Sequence, residues 1–233
     1  MNKAEQLKRA KSLANIFLRI PITTTEYSPI VIMHPFFESS FLYNGKEMFN
    51  ALEDTDKYND YLHFFSEKII QPCESLEDLL SLIRKSYRLA YILYMERENI
   101  ITKKECGNLL AEQWTLIENL SVDTNVQKRT ILRWIKAADK EKIMDEEELK
   151  KYKEFPEVLT VYRGCRTAKA LKGMSWTLSE EKGRWFADRF STNRGGVTYR
   201  AKIRKEDIIA YTNSRGEQEI ILDYQKIFDV EEV

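Results

Sequence analysis

Histidine is the scarcest chemically useful residue in this chain: His34 and His63 are the only two among 233 residues. A metal centre built on imidazoles and a nucleophile with His as its base are both disfavoured, and each His reads as a surface or satisfied core residue. Cys73, Cys106 and Cys165 are odd in number and widely spaced, with no Cys-x-x-Cys pair. Neither a disulfide framework nor a zinc site is suggested, and no metal is expected. There is no Gly-x-Gly-x-x-Gly and no Walker A sequence, so a Rossmann or P-loop nucleotide site lacks support. No apolar run approaches the roughly 20 residues that cross a bilayer, and the N-terminus has no signal-peptide architecture. The expectation is a cytoplasmic protein with no membrane span. Basic and acidic residues balance at 37 each, which gives no reason to expect nucleic acid as a partner.

What is present in the first two thirds is mostly helical periodicity. Leu7, Ala10, Leu13, Ala14, Phe17 and Leu18 recur at spacings of three and four, with Lys3, Lys8, Arg9 and Lys11 elsewhere on the wheel. This is an amphipathic helix, docked on its own domain or laid on a membrane surface. Ile30 to Met33 reads as a short strand or part of an aromatic-rich loop. From Gly45 to about Asn119 the pattern predicts helices: one around Met48, Phe49 and Leu52, a second from Tyr58 to Ile70, and a third opened by the capping box Ser75 to Asp78 and carrying Leu82 through Tyr94. A fourth follows the Thr102 cap and holds Leu109, Leu110, Trp114 and Ile117. A further helix over 126–142 buries Ile131, Leu132, Trp134, Ile135 and Ala138, and its basic face meets solvent, an acidic partner or a phosphate. The acidic block from Asp145 to Glu148 suits the positive end of a short helix, which Phe155-Pro156 ends.

The remainder changes character. Short β-prone segments lie near 158–163, 174–178, 197–203, 207–211, 217–222 and 226–230, with a helix starting at Ser179 that carries Trp185, Phe186 and Phe190. Strands and helices mix without regular alternation, so the fold class is α+β: a helical region over 1–150 packed on a compact, split or sandwich-like mixed β-sheet over 151–233. Within that second part, Arg163 places a strongly hydrated cation in an apolar strand of Leu159, Val161 and Tyr162. Ser175-Trp176-Thr177 forms a second strand, and Glu217-Gln218-Glu219 opens a third. Strand alternation sends Glu217 and Glu219 to one face, where two carboxylates repel one another, and a site that needs a base or a cation partner is one reason to tolerate that.

An Arg on an early strand, a Ser-x-Thr strand and a Glu-x-Glu entering a late strand together resemble the R-S-E class of ADP-ribosyltransferases, the group that includes arginine-modifying bacterial toxins. The resemblance covers about the last third of the chain. It implies NAD as substrate and a mono-ADP-ribosyl transfer to a protein, with release of nicotinamide. Arg163 would hold the pyrophosphate, and the backbone of Gly164 the nicotinamide amide. Ser175 would position the catalytic carboxylate, Thr177 would support the sheet, and Phe190 would wall the nicotinamide pocket. Glu219 would bind the ribose hydroxyl and stabilise the developing cation, while Glu217 would read the acceptor, an arginine. The 191–196 break is a mobile loop over the NAD or only a turn. The middle motif reads Ser-Trp-Thr where many members have Ser-Thr-Ser, and the helical part matches no family, so the protein target is unidentified. A phage- or bacterium-borne effector fits this picture. An NAD glycohydrolase and a non-catalytic binding module on the same fold remain as alternatives.

Overall fold

The structure, a computed structural model, describes residues 1–116, 125–189 and 196–233, and residues 168 and 169 by their backbone only. Ile117, Phe190 and the 191–195 stretch therefore lie outside the described residues. Contacts divide the chain into Met1–Thr102 and Lys103–Val233, where the sequence suggested a boundary near 150.

In the first unit, helix α1 (Lys3–Leu18) is capped by Asn2, whose side chain accepts from the Glu5 amide, and it buries Ala10, Leu13, Ala14, Phe17 and Leu18. Two hairpins follow: β1 (Thr23–Thr25) with β2 (Ser28–Met33), then β3 (Phe41–Tyr43) with β4 (Met48–Asn50). The helix expected around Met48, Phe49 and Leu52 is thus a strand. The physical reason lies in the turn, where Asn44 Oδ1 accepts from the Lys46 and Glu47 amides and Gly45 takes φ 91°. That geometry suits a hairpin, and three apolar residues are too few to define a helical period. Next come α2 (Thr55–Phe65), which continues as a π-helical turn over Ser66–Ile70, α3 (Leu76–Leu82) and α4 (Lys85–Arg97). The Ser75–Asp78 capping box forms in both directions. One helix expected from Leu76 to Tyr94 is two, because Ile83 is extended at ψ 132°. The Tyr91 hydroxyl donates to the Ala10 carbonyl at 2.8 Å, and the Phe17 ring meets the Tyr91 and Tyr94 rings edge-on, tying α1 to α4.

The second unit opens with α5 (Lys103–Gln113), α6 (Lys128–Ile135), the short α7 (Lys140–Ile143) and α8 (Glu146–Lys153). The helix expected over 126–142 stops at Ile135, yet its buried face of Ile131, Leu132, Trp134 and Ile135 is as the periodicity predicts. Ala138 falls past its end and is only partly buried. Asp145 and Glu148 form a capping box at the start of α8. Six strands then follow: β5 (Val158–Cys165), β6 (Ser175–Thr177), β7 (Val197–Arg204), β8 (Ile208–Thr212), β9 (Glu219–Leu222) and β10 (Phe228–Glu232), with α9 (Glu180–Arg189) after β6. They make one sheet of order β10-β7-β5-β6-β9-β8.

The α+β class is as expected, but every pairing recorded in this sheet is antiparallel, so the mixed sheet is corrected. Short turns join neighbours such as β8 and β9, and short connections make antiparallel pairs. β5 pairs with β7 over eight residues from Val158 to Cys165 but meets β6 at Tyr162↔Thr177. The sheet therefore has two three-stranded halves joined at a narrow waist, and the sequence-chosen residues gather there.

Candidate functional site

Glu219 begins β9, directly across from Thr177 on β6 and Thr212 on β8. It is 4% exposed, a degree of burial that a lone carboxylate does not tolerate without partners. Two partners satisfy it. Trp114, just past the end of α5, donates from its indole Nε1 to Glu219 Oε1 at 3.0 Å. Arg215 Nη2 lies 3.6 Å from Glu219 Oε2 and 2.8 Å from Glu217 Oε2.

The two carboxylates do converge, but not by strand alternation. Gln218 adopts φ 46°, so the extended backbone starts only at Glu219, and Glu217 belongs to the turn before it. That turn is firmly held. Thr177 Oγ1 donates to the Glu217 carbonyl at 2.6 Å and accepts from the Ser179 amide at 3.1 Å. Asn213 Oδ1 accepts from the Gln218 amide at 3.0 Å. From beneath, Glu148 of α8 accepts from the Thr212 hydroxyl at 2.8 Å and from the Asn213 amide at 2.6 Å. Thr177 thus ties the end of β6 to this turn.

Arg163 sits one residue beyond the waist. Tyr162, Thr177 and Glu219 are abreast on adjoining strands, and the Arg163 guanidinium lies near enough to Glu219 to feel its charge. Its Nε donates to the Ala170 carbonyl at 3.0 Å and its Nη1 to the Ser175 carbonyl. Gly173 lies flat against the guanidinium, where a Cβ would collide with Nε, Cζ and Nη2. Burial pulls the Arg163 guanidinium below its usual range, while nearby Cys165 and Glu219 act in the opposite direction. The Cys165 thiol is pushed up by burial, which Arg163 partly offsets. Lys128, at the start of α6, donates to the Lys172 carbonyl at 2.7 Å. Burial lowers its pKa first, then the charges of Arg163 and Lys172. Three cations thus cluster at this end of the sheet.

Ser175 contributes its carbonyl to Arg163 and stands opposite Ile221, two pairs along the β6–β9 ladder from Glu219. The carboxylate is held by Trp114 and Arg215, the role the resemblance implies for the serine. Gly164 is explained by packing: a Cβ there would strike the α9 backbone at Gly183, Phe186 and Ala187. That close approach carries Gly183 and Ala187 of α9 inward and leaves Trp185 49% exposed. Trp176 is buried, its Nε1 donating to the Gly173 carbonyl at 2.9 Å. Phe190 lies outside the described residues.

Sequence reasoning missed Trp114, Arg215, Gly173 and Glu148 as parts of this arrangement, whereas Lys128 lies on the basic helix face for which a phosphate was one of the expectations. Arg215 was within reach, since a cation two residues before a carboxylate pair is a ready neutralising partner. Trp114 carries no local signal, because 105 residues separate it from Glu219. Among the described residues no cluster of His, Cys, Asp and Glu could hold a metal ion, and no helix is long and apolar enough to cross a membrane. No protein-family model, curated protein or solved structure matches the chain.

Proposed function

We propose that the chain is an NAD-dependent mono-ADP-ribosyltransferase acting on a guanidinium acceptor, a protein arginine. The observation that carries this reading is the buried Glu219 at the sheet's waist, held by an indole N–H on one oxygen and sharing a guanidinium with Glu217 through the other. Cleavage of the bond between nicotinamide and ribose develops positive charge at the anomeric carbon. A preorganised, desolvated carboxylate stabilises such charge far better than water does. Glu219 supplies it, and Glu217 orients the acceptor nitrogen and takes its proton.

The residues present fit an anionic dinucleotide. Arg163, Lys128 and Lys172 lie close enough for their charges to lower the Lys128 pKa, and a cationic cluster suits a pyrophosphate. With two Arg163 nitrogens given to main-chain carbonyls, Nη2 and the lysines carry most of that role.

The test is incubation with labelled NAD and a lysate, comparing wild type with Glu219→Gln while following label on protein and free nicotinamide. Label on a discrete protein, reduced about 100-fold or more in the variant, is the expected result. Nicotinamide release without labelled protein gives the glycohydrolase instead. Silence in both, with no rise of melting temperature on adding NAD, defeats the enzymatic reading.

A further inference from the structure

The cation between Glu217 and Glu219 belongs to the chain itself. Arg215 reaches both carboxylates through one nitrogen, Nη2, at 2.8 and 3.6 Å. A guanidinium is a planar fork that binds carboxylates best through two parallel N–H groups, so this grip is less than the chemistry permits. The two sides of the contact also differ in rigidity. Glu219 is 5% exposed by side chain and Glu217 19%, whereas Arg215 is 48% exposed. Glu219 Oε1 is fixed by Trp114, and the Glu217 main chain by Thr177. Gly216 at φ 65° and Gln218 at φ 46° set the turn that brings Arg215 back over the pair. Two held carboxylates are thus covered by a half-exposed, single-point cation on a short tether.

We propose that Glu217 and Glu219 form a guanidinium-binding site that Arg215 occupies in cis, so that an arginine-like ligand must displace Arg215 to enter. The inference deepens the acceptor class of the transferase reading and rests on it for biological meaning. Its physical content stands without turnover. Removing Arg215 leaves two adjacent carboxylates, one of them buried, and the electrostatic demand for a cation rises. A half-exposed ion pair is individually weak, so displacement is inexpensive and the occupant tunes affinity rather than sealing the site.

The test uses the 233-residue chain in the absence of NAD, with agmatine as the probe and binding followed by calorimetry and by tryptophan fluorescence. Arg215→Gln is expected to bind agmatine about fivefold tighter than wild type. Arg215→Lys, which keeps the charge without the fork, should fall between them. Adding Glu217→Gln to Arg215→Gln should abolish the gain. Equal or weaker binding by Arg215→Gln, or no binding by any variant, overturns the proposal. Loss of the NAD reaction in the lysate experiment would defeat the transferase and leave these titrations standing. Equal affinities here would defeat displacement and leave turnover standing.

Discussion

Trp114 is the residue on which the state of Glu219 most depends. Among the described residues its indole N–H is the one neutral donor on a carboxylate that is 4% exposed. A hydrogen bond to a charged group contributes roughly 1.5–3 kcal/mol. Trp114→Phe keeps most of the apolar bulk and removes the donor, and kcat for nicotinamide release is expected to fall about 10- to 100-fold with a smaller change in KM. An unchanged kcat would mean that the contact only packs the core. Gly173 makes the matching test on Arg163. Gly173→Ala forces the guanidinium off its present place, and overpacking of that kind costs about 1–3 kcal/mol. A lower melting temperature together with weaker NAD binding is expected; a fall in stability alone would separate Arg163 from the ligand.

At the scale of elements, two buried polar residues join segments that the sequence keeps apart. Glu148 ties α8 to the β8–β9 turn through Thr212 and Asn213. Glu148→Ala removes the acceptor from the Asn213 amide and leaves the Thr212 hydroxyl only Ser214 Oγ at 3.4 Å, and a loss of about 1–3 kcal/mol is expected in chemical denaturation. His34 does the same in the first unit. Its Nδ1 accepts from the Phe36 amide at 3.1 Å while Nε2 faces the Leu18 carbonyl at 3.3 Å, and Phe37 stacks on its ring. Only the neutral Nε2–H form satisfies both bonds.

Burial lowers the His34 pKa to about 4, and nearby Arg84 also disfavours the charged ring. In the unfolded chain the group titrates near 6.5, so between those two values the unfolded state binds more protons. The contribution of neutral His34 is therefore fully present above about pH 6.5 and declines as pH falls toward 4. The loss is on the order of 3 kcal/mol. Denaturation midpoints measured from pH 7.5 to 4.5 should fall, and His34→Gln should flatten that slope; parallel slopes would assign the effect to other groups.

Over the whole molecule, balanced charge means that attraction for an anionic ligand has to be local. In the proposed function the cluster of Arg163, Lys128 and Lys172 provides it, because 37 acidic and 37 basic side chains cancel over the chain as a whole. NAD at 100 times its Kd is expected to stabilise the protein by about 2.7 kcal/mol, a rise of about 5–10 °C in melting temperature for a chain of this size. Lys128→Ala should cut that rise and weaken its dependence on salt. A rise identical in wild type and variant would remove Lys128 from the site.

Local chemistry made much of this readable from sequence. Apolar spacing in α1 and α6, the Ser75–Asp78 capping box and the order of six β-prone segments all come from periods of 3.6 and 2 and from side chains that bond their own backbone within three residues. Those signals act over one or two turns of chain, and the structure agrees with them. Where the signal was short the reading failed, as at Met48–Asn50, where Asn44 and Gly45 decide for a hairpin. Arg163, Ser175, Thr177, Glu217 and Glu219 were visible because each is polar in an apolar or β-prone setting. What holds them was not.

Trp114 reaches Glu219 across 105 residues, and Glu148 reaches Thr212 across 64. A position's pattern says whether it is buried but not against what. The sequence by itself determined the α+β class and the residues that would be costly to bury alone. Only the tertiary structure decided their partners, because strand order and register bring together groups with no local relation, and a buried charge is stable only where such long-range partners meet it.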